Sequence, residues 1–313
     1  MKAARIDEYG DVSVVHIREV DTPTAAKGQV VVAVHAASLN PFDTTLRSGA
    51  MKDMIPLPFP ATLGGDIAGV VTQVGPDVTG FAVGDNVYGE ANVLSGGSGA
   101  FAQFAAAMST CLAKAPAGLT FQQAASLPLV GASAVQALTE HLQLQAGQKI
   151  FIHGGAGGIG SIAIQVAKHI GATVVTTATG DGIAMVKSLG ADEIIDYKAE
   201  DFATKLQNMD AVFDTVGGGD FAKSLQVLKQ GGVAVSMIAK PDTAAASERG
   251  VTAMMQYTEV TTQLLDQLRS LVESGAVTPQ VTQVFPLDRI QEAFTARESG
   301  HVRGKIVIDI AGN

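Results

Sequence analysis

The chain has little sulfur chemistry to offer: Cys111 is its only cysteine, so no intrachain disulfide forms and a zinc site of four thiolates is excluded. Charge is also scarce. Charged residues make up 16% of the chain, too few for a disordered or strongly solvated protein. No apolar run approaches the ~20 residues that a membrane helix needs. The opening stretch MKAARIDEYGDV is charged throughout and lacks the apolar core of a secretory signal. These absences, with the reducing compartment that a lone cysteine suits, lead us to expect a cytoplasmic protein with no membrane partner. Lys and Arg form no block, and the net charge of -9 gives nucleic acid or an anionic membrane no general attraction. No nucleic-acid partner is expected.

What the chain does have is apolar residues, 47% of its 313 positions, enough for sizeable cores and long enough for two domains. Its first third breaks short apolar stretches (VVHI, QVVVAVHAA, GDIAGVVTQVG, GDNVYG, AFAQFAAA) with Gly, Pro and Asp, as a compact, mostly β domain does. From about 122 to 255 the pattern changes. Apolar strands expected at 149–153, 173–177, 193–196, 211–215 and 232–238 alternate with helices expected at 161–170, 183–189, 201–207 and 221–228. Helices between buried strands imply right-handed crossovers and a doubly wound parallel sheet. After it, Leu264, Leu265, Leu268, Leu271 and Val272 form the stripe of a core-facing helix, and KIVIDI reads as a terminal strand. The expected organisation is therefore 1–121 with 256–313 as one domain and 122–255 as the other.

Between the first strand and first helix of the doubly wound segment lies GGAGGIG (154–160), which holds the pattern Gly155-x-Gly157-x-x-Gly160. In that context the glycines permit a tight turn, close approach of a pyrophosphate to bare N–H groups, and close helix-to-strand packing. Gly155, Ala156, Gly157, Gly158, Ile159 and Gly160 are accordingly candidate dinucleotide contacts. A ligand-free turn would also use these glycines, but the alternation behind them favours a dinucleotide. A triphosphate loop would require Gly-Lys-Ser/Thr, where this chain has Gly160, Ser161 and Ile162.

The second strand ends Thr176, Thr177, Ala178, Thr179, Gly180, with no carboxylate until Asp181. A site for NAD usually presents Asp or Glu there to the ribose 2′-hydroxyl. Hydroxyls at Thr177 and Thr179 can instead donate to a 2′-phosphate, with Lys187 or Tyr197 within reach from the following elements. Lys187 reads equally well as a solvated helix lysine, and Asp181 would repel a phosphate if it pointed inward. NADP(H) is the expected cofactor.

Several stretches in order, SLNPFDTTLRSG (38–49), LGGDIAGVVTQVG (63–75), VGDNVYG (83–89), SGAFAQF (98–104), LPLVGASAVQAL (127–138), GQKIFIHGGAGGIGSIAIQVAK (147–168) and HVRGKIVI (301–308), resemble the zinc-independent quinone oxidoreductases of the medium-chain dehydrogenase/reductase superfamily. The resemblance covers nearly the whole chain. It implies an α/β protein, a Rossmann doubly wound sheet plus a GroES-like, mostly β catalytic domain, usually a homodimer. It further implies NADPH-dependent reduction of small-molecule quinones or α,β-unsaturated carbonyls. Zinc-dependent relatives carry a Cys near Asn40 and Gly-His-Glu where this chain has Gly65-Asp66. The histidines His16, His35, His141, His153, His169 and His301 have no ligand spacing, so no metal is expected.

Asn40-Pro41-Phe42-Asp43 reads as a helix start, with Gly49 as its end. By resemblance Asn40 also lies beside nicotinamide and substrate, where its amide can hydrogen-bond a substrate oxygen. Thr45 stands where the family often has Tyr, a weaker catalytic and substrate-binding candidate, and Tyr88 is a third substrate-side candidate. The resemblance further implies cofactor contacts at Ser133, Val216, Gly217, Ile238 and Ala239, and at Arg303 or Lys305. Asp214 is expected to cap the turn that follows it. Ser98 in SGGSGAF lacks the frame of a nucleophilic serine and reads as part of a substrate loop. Water is the expected proton source. The competing reading is a non-catalytic NADPH-binding redox sensor or stress-associated protein, for which the Thr45 departure is the hint.

Overall fold

The computed structural model describes residues 1–300 and 302–312; His301 lies outside them. The chain divides into two compact units, 1–129 with 260–273 and 279–313, and 130–259 with 274–278. Against the sequence-based boundary at 121, the short helix Phe121–Ala125 falls in the first unit. There Thr120 and Gln123 close its N-terminus reciprocally. No helix among the described residues is long and apolar enough to cross a membrane.

The first unit is built around the strand Gln29–Leu39, whose run QVVVAVHAASL is mostly Val and Ala and almost continuously buried. Such a run suits a strand covered on both faces. It pairs antiparallel with Asp66–Val74, Phe104–Met108 and Lys305–Asp309. The sheet continues through Asn86–Glu90 to Leu112–Lys114 on one side and Val281–Pro286 on the other. Val30, Val32, Ile67, Val71, Phe101, Phe294, Ile306 and Ile308 form its core. The helix Thr262–Glu273 buries Leu264, Leu265, Leu268 and Val272 of the stripe read from the sequence and leaves Leu271 half-buried.

Register decides what gathers at one end of this sheet. Ser38 lies opposite Asp66, Leu39 opposite Ile306, and Asp66 opposite Glu90. Asn40 leaves its strand where Asp66 and Lys305 begin theirs. The chain then turns into the helix Pro41–Ser48, with Pro at its first position and Gly49 at φ 75° after its last.

The second unit is a six-stranded parallel sheet in the order Glu193–Asp196, Thr173–Ala178, Lys149–His153, Met209–Asp214, Leu228–Ser236, Thr252–Met255. This is the Rossmann order, and the direction of winding reverses between Lys149–His153 and Met209–Asp214, where such folds bind ligand at the strand ends. The fifth strand begins at Leu228, four residues before its expected start. Gly231 and Gly232 sit inside the strand, at a register shift against Met209–Asp214. The sixth strand, TAMM, has no flanking periodicity and was not expected.

Candidate active site

Lys149–His153 delivers the chain into the glycine turn, and Gly154, at φ 89°, makes the reversal. Its N–H donates to Thr177 Oγ1 at 2.9 Å, and Gly155 N–H donates to the Thr177 carbonyl at 3.1 Å. The glycines then divide by role. A side chain at Gly155 would strike Thr176 Oγ1 and Ile164; one at Gly160 would strike the Gly154 carbonyl. Gly157 is different. A Cβ there meets only the Gly154 carbonyl, at 3.4 Å, and its φ is -76°, so neither packing nor backbone strain requires glycine at that position. What its bare backbone leaves is open space at the start of the helix Gly158–Ile170, whose first N–H groups have no intrahelical acceptor. A pyrophosphate fits that arrangement.

At the winding reversal, His153 Nδ1 and Asp214 Oδ1 lie 3.1 Å apart, both buried. Asp214 also accepts from Val216 N–H, from Gly217 N–H and from Ser236 Oγ, each within 3.1 Å. Ser236 Oγ in turn accepts from Ile238 and Ala239 N–H at 3.2 and 2.9 Å. One carboxylate thus fixes both turns. Burial alone would raise its pKa, but the hydrogen bonds from His153, Gly217, Ser236 and Val216 outweigh that and hold it below the usual range. The turns carry two large apolar side chains into solvent, Val216 at 47% and Ile238 at 56% exposure. The capping role read for Asp214 is what the structure gives it, whereas His153 and Ser236 were missed. Their signal is topological: His153 and Asp214 are register partners, which no local pattern shows.

Of the remaining cofactor candidates, Thr177 is buried with its oxygen occupied by Gly154, Thr179 is half-buried, and Lys187 and Tyr197 are exposed. Ser133 is buried and shares a 2.9 Å hydrogen bond with Thr258. Arg303 is half-buried, its carbonyl accepting from Thr282.

In the first unit the polar centre is Asn40. Its Nδ2 donates to Asp66 Oδ2 at 2.8 Å, and its Oδ1 accepts from Lys305 Nζ. Asp66 also accepts from Ser38 Oγ at 2.9 Å and Leu129 N–H at 3.0 Å. Asp43 Oδ2 takes the Asn40 N–H at 2.7 Å, the reciprocal half of a capping box at the helix start. Burial pushes the Asp43 carboxyl up and the Lys305 ammonium down, and it pushes the neighbouring Glu90 up to about 7.

Three sequence-based assignments change here. Lys305, expected beside the cofactor, is buried and joined to Asn40 and Asp66. Tyr88, expected on the substrate side, is fully buried and spends its hydroxyl on the Leu265 carbonyl at 2.6 Å. The Thr45 hydroxyl donates back to the Pro41 carbonyl at 3.2 Å, so its proton is spent on its own helix.

Comparison with known proteins supplies the relatives. Residues 26–117 match the model of the alcohol dehydrogenase GroES-like domain, and 189–308 match the model of the zinc-binding dehydrogenase. The chain is 36% identical to the 2-methylene-furan-3-one reductase of Solanum lycopersicum, covering 98% of this chain and 79% of that protein. It has the same identity and coverage with the chloroplastic NADPH-dependent alkenal/one oxidoreductase of Arabidopsis thaliana. The chain belongs to the quinone oxidoreductase family of medium-chain dehydrogenases/reductases. The solved quinone oxidoreductase of Coxiella burnetii superposes with a TM-score of 0.89 at 34% identity, covering 99% of each chain.

One of the two matched models is described as a zinc-binding dehydrogenase. The resemblance places the ligands of zinc-dependent relatives at the positions held here by Asn40 and Gly65-Asp66, and Lys305 Nζ donates to the Asn40 oxygen. Among the described residues no group of three or more His, Cys, Asp or Glu is disposed to hold a metal ion.

Proposed function

We propose that the protein is an NADPH-dependent, zinc-independent oxidoreductase that reduces a quinone or an α,β-unsaturated carbonyl. The observation that carries this reading is Gly157, a glycine that neither packing nor backbone conformation explains, placed at a helix N-terminus beside the winding reversal. When bound, NADPH supplies a hydride. Gly155 to Gly160 hold the pyrophosphate. Thr179, Lys187 and Tyr197 are the groups available to a 2′-phosphate, while Val216, Gly217, Ile238 and Ala239 offer an apolar, backbone-fixed floor along the dinucleotide. Ser133 and Arg303 complete the proposed contacts.

Asn40 is the proposed donor to the substrate oxygen, which gains negative charge as the quinone or the β-carbon of the enone accepts hydride. A fixed N–H aimed at developing charge is among the larger contributions a protein can make. Water supplies the proton that completes the phenol or the saturated carbonyl. A homodimer in a reducing, cytoplasmic compartment is the proposed working form; the single cysteine suits that compartment.

The experiment is NADPH oxidation followed at 340 nm (roughly the absorbance band of the reduced nicotinamide whose hydride is transferred) with a panel of quinones, alkenals and alkenones. Turnover of at least one class is expected. Tight NADPH binding with no turnover of any of them would instead assign the protein to non-catalytic redox sensing.

A further inference from the structure

The buried trio Lys305, Asn40 and Asp66 constrains what Asn40 can do. Asp66 sits in a nest of donors, receiving Ser38 Oγ, Leu129 N–H and Asn40 Nδ2, with Lys305 Nζ 3.5 Å from the same oxygen that Asn40 contacts. Asp66 is the acceptor in the first three of these contacts, and Lys305 Nζ is the donor to the Asn40 oxygen. The opposite flip of the Asn40 amide would press its oxygen against Asp66 and its NH₂ against Lys305, so the partners admit one orientation.

In that orientation the amide oxygen is taken by Lys305, one N–H is taken by Asp66, and one N–H has no partner among the described residues. The backbone N–H of Asn40 is taken separately, by Asp43.

We propose that Lys305 and Asp66 are positioning residues that hold Asn40 as a pure donor, so that it accepts only substrates presenting an oxygen acceptor, a carbonyl or quinone oxygen that becomes anionic on reduction. The inference rests on the reading that Asn40 meets the substrate. Donation from Lys305 into the amide oxygen polarises the C–N bond and strengthens the remaining N–H as a donor, an effect of hydrogen bonds in series in a low-dielectric interior.

Four variants test this: Asn40→Ala, Lys305→Met, the double variant of both, and Lys305→Met with Asp66→Asn. The last removes both members of the buried pair together, which spares the fold the unpaired carboxylate that Lys305→Met leaves. The readouts are kcat with a quinone and an enone, the Kd for NADPH, and Tm. Asn40→Ala and the Lys305 variants are each expected to lower kcat about 100- to 1,000-fold, the scale of a lost oxyanion donor, with the NADPH Kd within about twofold of wild type. The Lys305→Met, Asn40→Ala double variant is expected to fall no further than Asn40→Ala alone, because Lys305 acts through Asn40.

A kcat near wild type in the folded Lys305→Met, Asp66→Asn protein, with Asn40→Ala strongly impaired, overturns the positioning role and leaves the Asn40 reading standing. Multiplying losses in the Lys305→Met, Asn40→Ala double variant, tracking its Tm, also overturn it. An unimpaired Asn40→Ala enzyme defeats the Asn40 reading itself.

Discussion

His153 and Asp214, the last residues of two neighbouring parallel strands, meet through a 3.1 Å hydrogen bond in the interior of the second unit. Because Asp214 also receives Val216, Gly217 and Ser236, this carboxylate ties the strand that enters the glycine turn to both apolar turns of the proposed cofactor floor. Asp214→Ala orphans several buried donors, each worth roughly 1–3 kcal/mol, and is expected to lose about 3 kcal/mol or more in urea denaturation at neutral pH and to weaken NADPH binding. The pKa of Asp214 is lowered in the folded state. Its stabilising contribution is therefore present above the unfolded value of about 3.9 and fades as pH falls below it. If Asp214→Ala changes neither stability nor Kd, the carboxylate is not the organiser described.

The glycines of the turn separate in the same kind of measurement. Gly160→Ala drives a methyl into the Gly154 carbonyl and Gly155→Ala into Thr176, so both are expected to destabilise by about 1–3 kcal/mol as overpacking does. Gly157→Ala meets nothing closer than 3.4 Å and is expected to leave stability within about 0.5 kcal/mol while weakening NADPH binding at least about tenfold through lost phosphate approach. Equal effects on folding from Gly157 and Gly160 would remove the argument for a ligand at the turn.

How far these roles can be read from the sequence depends on the range of the interaction. The glycine turn, the strand before it and the helix after it are local, and the spacing of Gly155, Gly157 and Gly160 states them directly. The split between packing glycines and the open Gly157 is tertiary, because Thr176 and Ile164 reach the turn from other elements. Asn40 was identifiable by its motif, yet the resemblance placed Lys305 beside a cofactor. The antiparallel register of Ile306 with Leu39 brings Lys305 next to Asn40 across 265 residues, and no periodicity encodes that pairing. Tyr88, expected on the substrate side, is placed by an equally distant contact: its acceptor, Leu265, lies on a helix 177 residues away.

Tyr88→Phe is accordingly expected to act on the fold. It leaves the buried Leu265 carbonyl without its 2.6 Å donor, a loss of about 1–2 kcal/mol. Burial pushes the phenol's pKa well up, so the hydroxyl holds its proton across the working range. Chemical denaturation should report the loss while kcat for quinones and enones stays within about twofold, a small change in barrier; a selective fall in kcat would return Tyr88 to the substrate side.

Cofactor choice is expected to turn on Thr179, the half-buried last hydroxyl before Gly180 and the helix Asp181–Ser188. Thr179→Asp places a carboxylate where a 2′-phosphate would sit and a ribose 2′-hydroxyl would be accepted. The ratio of kcat/KM for NADPH over NADH should fall by about tenfold or more, the equivalent of 1.4 kcal/mol. Lys187→Ala should lower the NADPH value alone. Should both cofactors respond equally to both substitutions, the 2′-phosphate is recognised elsewhere.

Glu90 gives the pH dependence its sign. Burial, and next the nearby Asp66 charge, push its carboxyl up to about 7, against the opposing hydrogen bonds from Ser95 and Asn92. The folded protein therefore keeps this proton between the unfolded value of about 4.3 and about 7, and over that window the native state binds more protons than the unfolded chain. A raised carboxyl of this kind lowers stability as pH rises through the window, and the penalty is complete above it. Glu90→Gln keeps an acceptor for Ser95 Oγ, 3.0 Å away in the wild type, and removes the titration. At pH 8 the variant should be more stable than wild type, by on the order of 1 kcal/mol after allowance for partial solvent access. At about pH 4, where both forms are neutral, the difference should vanish. Urea denaturation across that range checks the slope: a variant destabilised more at pH 8 than at pH 4 would mean that its neighbours hold Glu90 ionised, and an equal change at both ends would mean that its proton affinity does not differ between the folded and unfolded chain.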